Sequence, residues 1–259
     1  MDENPYQAPE APLEAPPAPE PPGLGLPWED RARGGAIARA LATIRLILAN
    51  PEDAGQRISR SKAVGPAIAF FALAGMPFRW ATNALVTAFT PLDGSGNEWL
   101  FKALHQPMPP PPAPGQMAFA KALTWISVGL APLFMAVGVL IMGLLAHAGL
   151  WMVKGLEEKR GLETTYRSLL YVGGATAWVG LLAALGVLLP KGALPFHQLF
   201  TFALELGILT FLGLVLAHGH GIKGWKGVLA VLLPLLILIC CLGACLAPVM
   251  MGAAAAGNA

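Results

Sequence analysis

The feature that most constrains this chain is a region of nearly two hundred mostly apolar residues that one charged island, Lys154 to Tyr171, interrupts. Charged side chains and irregular backbone do not lie in contact with bilayer hydrocarbon, so the island is predicted to be an aqueous loop that divides a membrane domain. Composition agrees, because 12% of the residues are charged, against about 25% in a typical globular protein.

Five apolar runs have the length of a membrane-spanning helix, which needs about 20 residues. They cover residues 64–90, 122–153, 168–189, 196–217 and 227–250. The second run is longer than one bilayer requires, so it either tilts or begins as a surface helix. We therefore predict an all-α fold: a polytopic integral membrane helical bundle with about five transmembrane helices in residues 63–251, followed by a short tail at 252–259.

The first 27 residues differ from the rest of the chain. They contain nine prolines and five acidic residues, with no lysine or arginine. Such a segment cannot bury enough apolar surface to offset the entropy of ordering, so we predict a disordered, proline-rich tail over residues 1–27. A Pro-rich docking motif is the alternative.

Residues 28–62 are predicted to form amphipathic interfacial helices that precede the spans. Four apolar residues recur on one helical face, namely Ile37, Leu41, Ile44 and Leu48. The aromatic and basic residues around them are Trp28, Arg31, Arg33, Arg39 and Arg45. This pattern favours a helix in the headgroup plane, drawn to anionic lipid; packing against the protein's own spans is the alternative. Asn50 and Pro51 predict a helix end and a new capped start.

Lysine and arginine counts predict the orientation. With the N-terminus inside, thirteen basic residues fall in inside segments, while the outside segments hold Lys102, Lys121 and Lys191. An odd number of spans then places the C-terminus outside. In a bacterium, the expected location is the inner (plasma) membrane, with the N-terminus cytoplasmic.

Two ionisable residues fall within predicted spans, which makes them functional candidates by default. Arg79 interrupts the first span, and Glu205 lies near the middle of the fourth. Our first hypothesis is an intramembrane ion pair between them. A protonatable or substrate-binding Glu205, other partners, and an Arg79 that extends its side chain outward stay open.

Catalytic and metal-binding patterns are not found in the sequence. It has no phosphate-binding Gly-rich loop, no zinc-protease motif and no nucleophile elbow. The three cysteines lie together in the fifth apolar run and form no zinc or disulfide pattern. His218 and His220 are expected in a solvated turn. We predict no enzyme activity, catalytic residue, cofactor, metal or nucleic-acid partner.

A series of features in order resembles the Yip domain family, the Ypt/Rab-interacting five-span membrane proteins with bacterial relatives. Pro27-Trp28-Glu29 precedes the basic amphipathic helix and Asn50-Pro51. Gly161 to Arg167 leads into a third span that bears Tyr171, Pro190 forms a turn between spans three and four, and a turn at His218 to Lys226 precedes the fifth span. The resemblance implies the five-span architecture, its topology and a tendency towards partner binding, but no active site.

The sequence therefore predicts a non-enzymatic multi-pass membrane protein that organises protein partners or lipids at the inner membrane face. Its expected partners are the bilayer, a protein at that face and further copies of itself. In the charged island, Thr164 is expected to cap the third span. The residues expected to anchor or dock there are Trp28, Arg31, Arg33, Arg39, Arg45, Glu163, Tyr166 and Arg167. The alternative is a small channel, carrier or lipid-moving protein that uses Glu205 and Arg79.

Overall fold

The computed structural model describes residues 25–61, 63–89, 113–156, 161–190 and 193–256. Within these ranges all regular secondary structure is helical and no strand is present, which confirms the all-α class. Residues 1–24 of the predicted tail and the charged residues 157–160 lie outside the described residues. Leu26 is fully buried, so the packed part of the fold begins before Trp28.

Two short helices, α1 (Ala36–Ala49) and α2 (Pro51–Arg60), follow a 3-10 turn at Arg31–Arg33. The Asn50 side chain accepts a hydrogen bond of 3.1 Å from the backbone N–H of Asp53, and Pro51 is the first helical residue. A polar cap with proline at the first position satisfies or removes N–H groups that a helix start leaves without partners. The predicted helix end and restart is confirmed.

The five predicted spans all coincide with helical segments. The first stretch consists of α3 (Gly65–Phe70), a π-helix (Phe71–Gly75) and α4 (Met76–Phe89) in direct succession. The later stretches are α5 (Pro114–Met152), α6 (Leu162–Ala184) with a 3-10 turn at Leu185–Leu188, α7 (Leu194–His220) and α8 (Gly224–Ala256). Helix α5 is 39 residues long, or about 58 Å at 1.5 Å per residue.

Among the described residues, three helices are long and apolar enough to cross a membrane: Pro114–Met152, Pro195–His220 and Gly224–Cys241. This is fewer than the five predicted. The π-helix divides the first stretch, so its longest α-helix has 14 residues. Helix α6 is less apolar because its first two turns carry Glu163, Arg167 and hydroxyl side chains. The three apolar helices are consistent with an integral membrane protein.

Helix α6 is the centre of the bundle and contacts α1, α2, α3, α4, α5 and α7, while α8 packs against α5 and α7. Glycines allow the helix backbones to approach closely, as is common in membrane bundles. A Cβ added at Gly55 of α2 would lie 2.6 Å from the backbone oxygen of Val215 in α7. One added at Gly213 of α7 would lie 2.5 Å from the Cα of Val228 in α8. Substitution at either glycine would push two helices apart.

Candidate functional site

The segments that the lysine and arginine count predicts to lie on the inner side of the membrane meet at one end of the bundle. We call this end the basic end. Among the described residues it comprises the Gly25–Asp30 segment, α1, α2, residues 153–156 after α5, the start of α6, and the turn between α7 and α8. Helix α2 packs against α7 near His218, and a Cβ at Gly155 would lie 2.9 Å from the Cδ1 atom of Ile222. Segments far apart in sequence therefore form one surface.

Trp28 joins α1 to the start of α3. Its backbone N–H donates to Thr43 Oγ1 at 2.8 Å, and its indole Nε1–H donates to the carbonyl of Pro66 at 2.8 Å. The Arg39 guanidinium lies 5.3 Å from the centre of the indole ring and also donates to the Trp28 carbonyl at 3.0 Å. A cation over the indole face, together with hydrogen bonds from both the backbone N–H and the indole N–H, fixes the residue in one orientation.

Glu29 and Tyr171 extend this contact to α6. The Tyr171 hydroxyl donates to Glu29 Oε1 at 2.8 Å, although the two residues are 142 positions apart. The ring of Phe70 lies between Trp28 and Tyr171, with ring centroids 5.7 Å and 5.2 Å away. We call Trp28, Glu29, Arg39, Phe70 and Tyr171 the Trp28 cluster. It brings together two of the segments on which the family resemblance depends.

Helix α1 uses two faces. Ala40, Thr43 and Ile47 are buried against the bundle. Ile37 and Leu41, which belong to the predicted apolar stripe, are 73% and 60% exposed. The helix therefore packs on the protein's own bundle, which was one of the two alternatives drawn from the sequence, and presents Ile37 and Leu41 outward; contact with lipid stays a prediction.

The four arginines predicted for the membrane surface do not share one environment. Arg31 and Arg45 are exposed, and so is Arg33, which forms a 3.0 Å ion pair with Asp30. Arg39 is half-buried in the Trp28 cluster. Three arginines thus lie at the surface, one of them paired with Asp30, while the fourth has a packing role.

The predicted anchoring residues of α6 also separate. Glu163 is exposed, whereas the Tyr166 hydroxyl donates to the carbonyl of Leu140 in α5 at 2.9 Å. Arg167 is buried, and its Nη2 donates to Thr164 Oγ1 at 3.2 Å. The predicted cap at Thr164 is wrong, because α6 begins two residues earlier, after Gly161, and Thr164 lies inside the first turn.

Burial lowers the pKa of the Arg167 guanidinium from its ordinary value, while the carboxylates of Glu163 and Glu29 and the Tyr171 side chain raise it. Arginine normally titrates above pH 12, so the group stays cationic. A buried cation needs nearby negative charge. The carboxylates of Glu163 and of Glu29, the latter in the Trp28 cluster, therefore stabilise the buried Arg167 cation.

A second buried polar group joins α5, α6 and α7. Thr165 Oγ1 lies 3.1 Å from His147 Nδ1 and 3.1 Å from His220 Nε2. A hydroxyl carries one proton, so it donates to one ring and can accept from the other. His220 is 1% exposed, so the expected solvated turn is wrong for this residue.

Within the described part of the chain, no group of three or more His, Cys, Asp or Glu side chains could hold a metal.

Arg79 and Glu205 are not brought into an ion pair. The ion pairs among the described residues are Arg33–Asp30 and Arg57–Asp53. Arg79 lines a cavity between the α3–α4 stretch, α5, α6 and α7, and Glu205 lies on α7. Both residues are exposed. The cavity has a volume of about 280 Å³ and is partly open.

Sequence reasoning identified Trp28, Arg39 and Tyr171, but it missed Phe70, Thr165 and the burial of His220. The only signal in the sequence was the position of His147 and His220 near the ends of predicted helices, where polar side chains of neighbouring helices can meet.

Comparisons with protein-family models, curated proteins and solved structures find no match to this chain. The geometry of the basic end therefore carries the functional argument.

Proposed function

We propose that this protein is a non-enzymatic multi-pass membrane protein of the Yip-domain type that organises anionic lipid and protein partners at the inner membrane face. The observation that carries the proposal is the surface of α1: exposed Ile37, Leu41 and Leu48 beside exposed Arg31 and Arg45. An apolar stripe flanked by arginines is the surface that an interfacial helix presents to lipid.

The proposal includes five spans with the N-terminus inside and the C-terminus outside. The stretch Gly65–Phe89 is helical throughout, and its 25 residues would extend about 37 Å, enough to cross the hydrocarbon of a bilayer. Helix α6 occupies the centre of the bundle between apolar helices. The meeting of the basic segments at one end supports a common side for all of them.

The Trp28 cluster gives this surface its orientation. It fixes the buried face of α1 against α3 through the hydrogen bonds of Trp28 with Thr43 and Pro66, and against α6 through the hydrogen bond of Tyr171 with Glu29. The apolar stripe is then held outward at a constant height relative to the spans. Each exposed arginine near an anionic surface contributes about 1 kcal/mol of attraction, so Arg31, Arg33 and Arg45 together favour anionic over neutral lipid.

The test is a triple substitution of Arg31, Arg33 and Arg45 to Gln, with substitution of the same residues to Lys as the matched control. Arg39 is left unchanged because its removal would disturb the Trp28 cluster. We expect the preference of the Gln variant for anionic over neutral lipid to fall about 100-fold, because three charges at about 1 kcal/mol each give about 3 kcal/mol. Lipid mass spectrometry of protein purified from mixed neutral and anionic membranes measures it.

The same preparations test protein partners by co-purification from the native membrane with the intact chain. The Lys variant is expected to behave like the original protein in both measurements. If the Gln variant kept the same anionic lipid and the same partners, the proposed role of the inner face would be wrong.

A second candidate is a small channel, carrier or lipid-moving protein that uses Arg79 and Glu205. The cavity beside Arg79 favours it, because a charged residue in a membrane bundle commonly faces a substrate path. Reconstitution in vesicles tests this function. A flux of ions or lipid that Glu205→Gln abolishes would support it, and no flux in the unaltered protein would reject it.

A further inference from the structure

The cavity beside Arg79 has one charged group in an apolar wall. Its polar lining residues are Arg79 and Thr176, and the Thr176 hydroxyl already donates to the carbonyl of Val172 at 2.8 Å. No hydrogen bond or ion pair joins Arg79 to another described residue. The remaining lining side chains are apolar or absent, the latter at Gly138 and Gly173. The cavity therefore offers one cation and otherwise hydrocarbon-like surface.

The cavity is elongated along the helices. Its lining residues extend from Phe71 to Arg79 on the first stretch, from Met135 to Met142 on α5, and from Leu169 to Thr176 on α6. Seven or eight residues correspond to about 10–12 Å of helix. Arg79 lies at the end farther from the basic end, at the level of Met135 and Thr176. A ligand with its anion at Arg79 would extend from there towards the basic end.

One wall of the cavity contains the π-helix Phe71–Gly75. Single-turn π-helices inside α-helices are frequent at functional sites. Here the close approach of α6 accompanies it, since a Cβ at Gly75 would lie 3.1 Å from the Cα of Gly174. The Phe71 ring also lies against Gly173, where an added Cβ would be 3.3 Å away. The π-helix, together with Gly75 and Gly173, places the Phe71 ring in the cavity wall.

These features define the chemical class of an occupant. A guanidinium pairs with a carboxylate through two parallel hydrogen bonds and is the preferred cation for planar anions. The volume of about 280 Å³ lies at the lower end of ligand cavities, which measure roughly 300–1,000 Å³. It suits one acyl chain and not the two chains and polar headgroup of a phospholipid.

We propose that this cavity binds a free fatty acid, with its carboxylate on Arg79 and its chain along Phe71, Leu169 and Leu212. The site is separate from the lipid surface of α1, and its failure would leave the proposed function untouched. The cavity is partly open, so the acid can enter without separating the helices. Its single negative charge pairs with the cation of Arg79, which lines the cavity although the residue is exposed in the protein alone.

The test uses full-length protein in neutral-lipid nanodiscs and a decanoic acid that carries a photoreactive diazirine. We expect crosslinks, located by mass spectrometry, on Met135–Met142 and Leu169–Thr176. Gly138→Leu should reduce labelling at least about 10-fold, which corresponds to 1.4 kcal/mol, because a Cβ there meets no atom within 4 Å and the larger side chain fills the cavity. Gly129→Leu is the control: it also meets no atom within 4 Å, lies on the same helix and does not line the cavity.

The charge is tested separately with Arg79→Met and with decanol as the uncharged competitor. The substitution should weaken displacement by unlabelled decanoic acid about 10-fold and leave displacement by decanol unchanged. Arg79→Lys, which keeps a cation, should retain part of the preference and serves if the Met variant does not fold. Crosslinks elsewhere, equal loss in Gly129→Leu, or equal loss for acid and alcohol would each overturn the proposal. Stronger displacement by a lysophospholipid would also overturn it.

Discussion

At the basic end, polar side chains are buried and contact one another, whereas the opposite half of the bundle exposes long apolar side chains. Thr164, Thr165 and Arg167 are buried at the basic end. In the other half, Phe119 and Phe196 are 71% and 78% exposed. Apolar side chains that the protein leaves uncovered are suited to hydrocarbon, while buried polar groups require partners within the protein.

The difference shows where the arrangement of the helices is specified. Lipid tails are as apolar as leucine, so apolar surface alone does not select one helix packing over another in a membrane. Close backbone contacts and hydrogen bonds do, and at the basic end they include the Trp28 cluster and the contact of Gly55 with α7. Substitutions there should have larger effects than matched substitutions in the apolar half.

The largest effect is expected for Trp28→Ala. It removes the ring contact with Phe70, the Arg39 stacking and the hydrogen bond to Pro66. Truncation of a packed tryptophan costs about 3–5 kcal/mol. The control is Trp125→Ala, since Trp125 lies on α5 in the apolar half and is 45% exposed. Thermal unfolding in detergent, followed by circular dichroism, measures both; equal shifts in the two variants would contradict the stabilising role of the cluster.

A smaller effect is expected for Gly55→Leu, which would separate α2 from α7. The added Cβ would lie 2.6 Å from a backbone oxygen that cannot rotate away, and overpacking of this kind costs about 1–3 kcal/mol. Gly129→Leu places the same side chain where no atom lies within 4 Å. The free energy of unfolding should fall in the first variant only. A comparable loss in both would mean that the two halves of the bundle do not differ as described.

The helices and the cap at Asn50 could be predicted because their signals are local. An apolar run of sufficient length and an Asn-Pro pair act over a few residues. Three described helices, and not the predicted five, are long and apolar enough to cross a membrane, because of two local details: the π-helix at Phe71–Gly75 and the polar first turns of α6. Neither detail changes the average composition of its apolar run enough to be recognised when spans are predicted from run length and composition.

The contacts of the candidate site could not be predicted, because they join distant segments. Glu29 and Tyr171 each belong to a segment noted in the sequence, but no local pattern encodes a bond across 142 residues. The glycines around His220 suggested a solvated turn, yet α7 continues through that residue. Gly219 allows the end of α7 to pack closely on α6, because even a Cβ at this position would lie only 3.2 Å from Ser168 Oγ of α6.

The central claim is that α1 lies at the lipid surface with its Leu41 face outward while the Trp28 cluster holds its other face. Leu41 and Ala42 are both exposed and point about 100° apart on the helix. Single cysteines at these positions, in a chain otherwise free of cysteine, can carry spin labels in anionic vesicles. We predict that the Leu41 label is accessible to oxygen and protected from a water-soluble nickel complex, while the Ala42 label is more accessible to nickel. Equal nickel accessibility at the two positions would contradict the account.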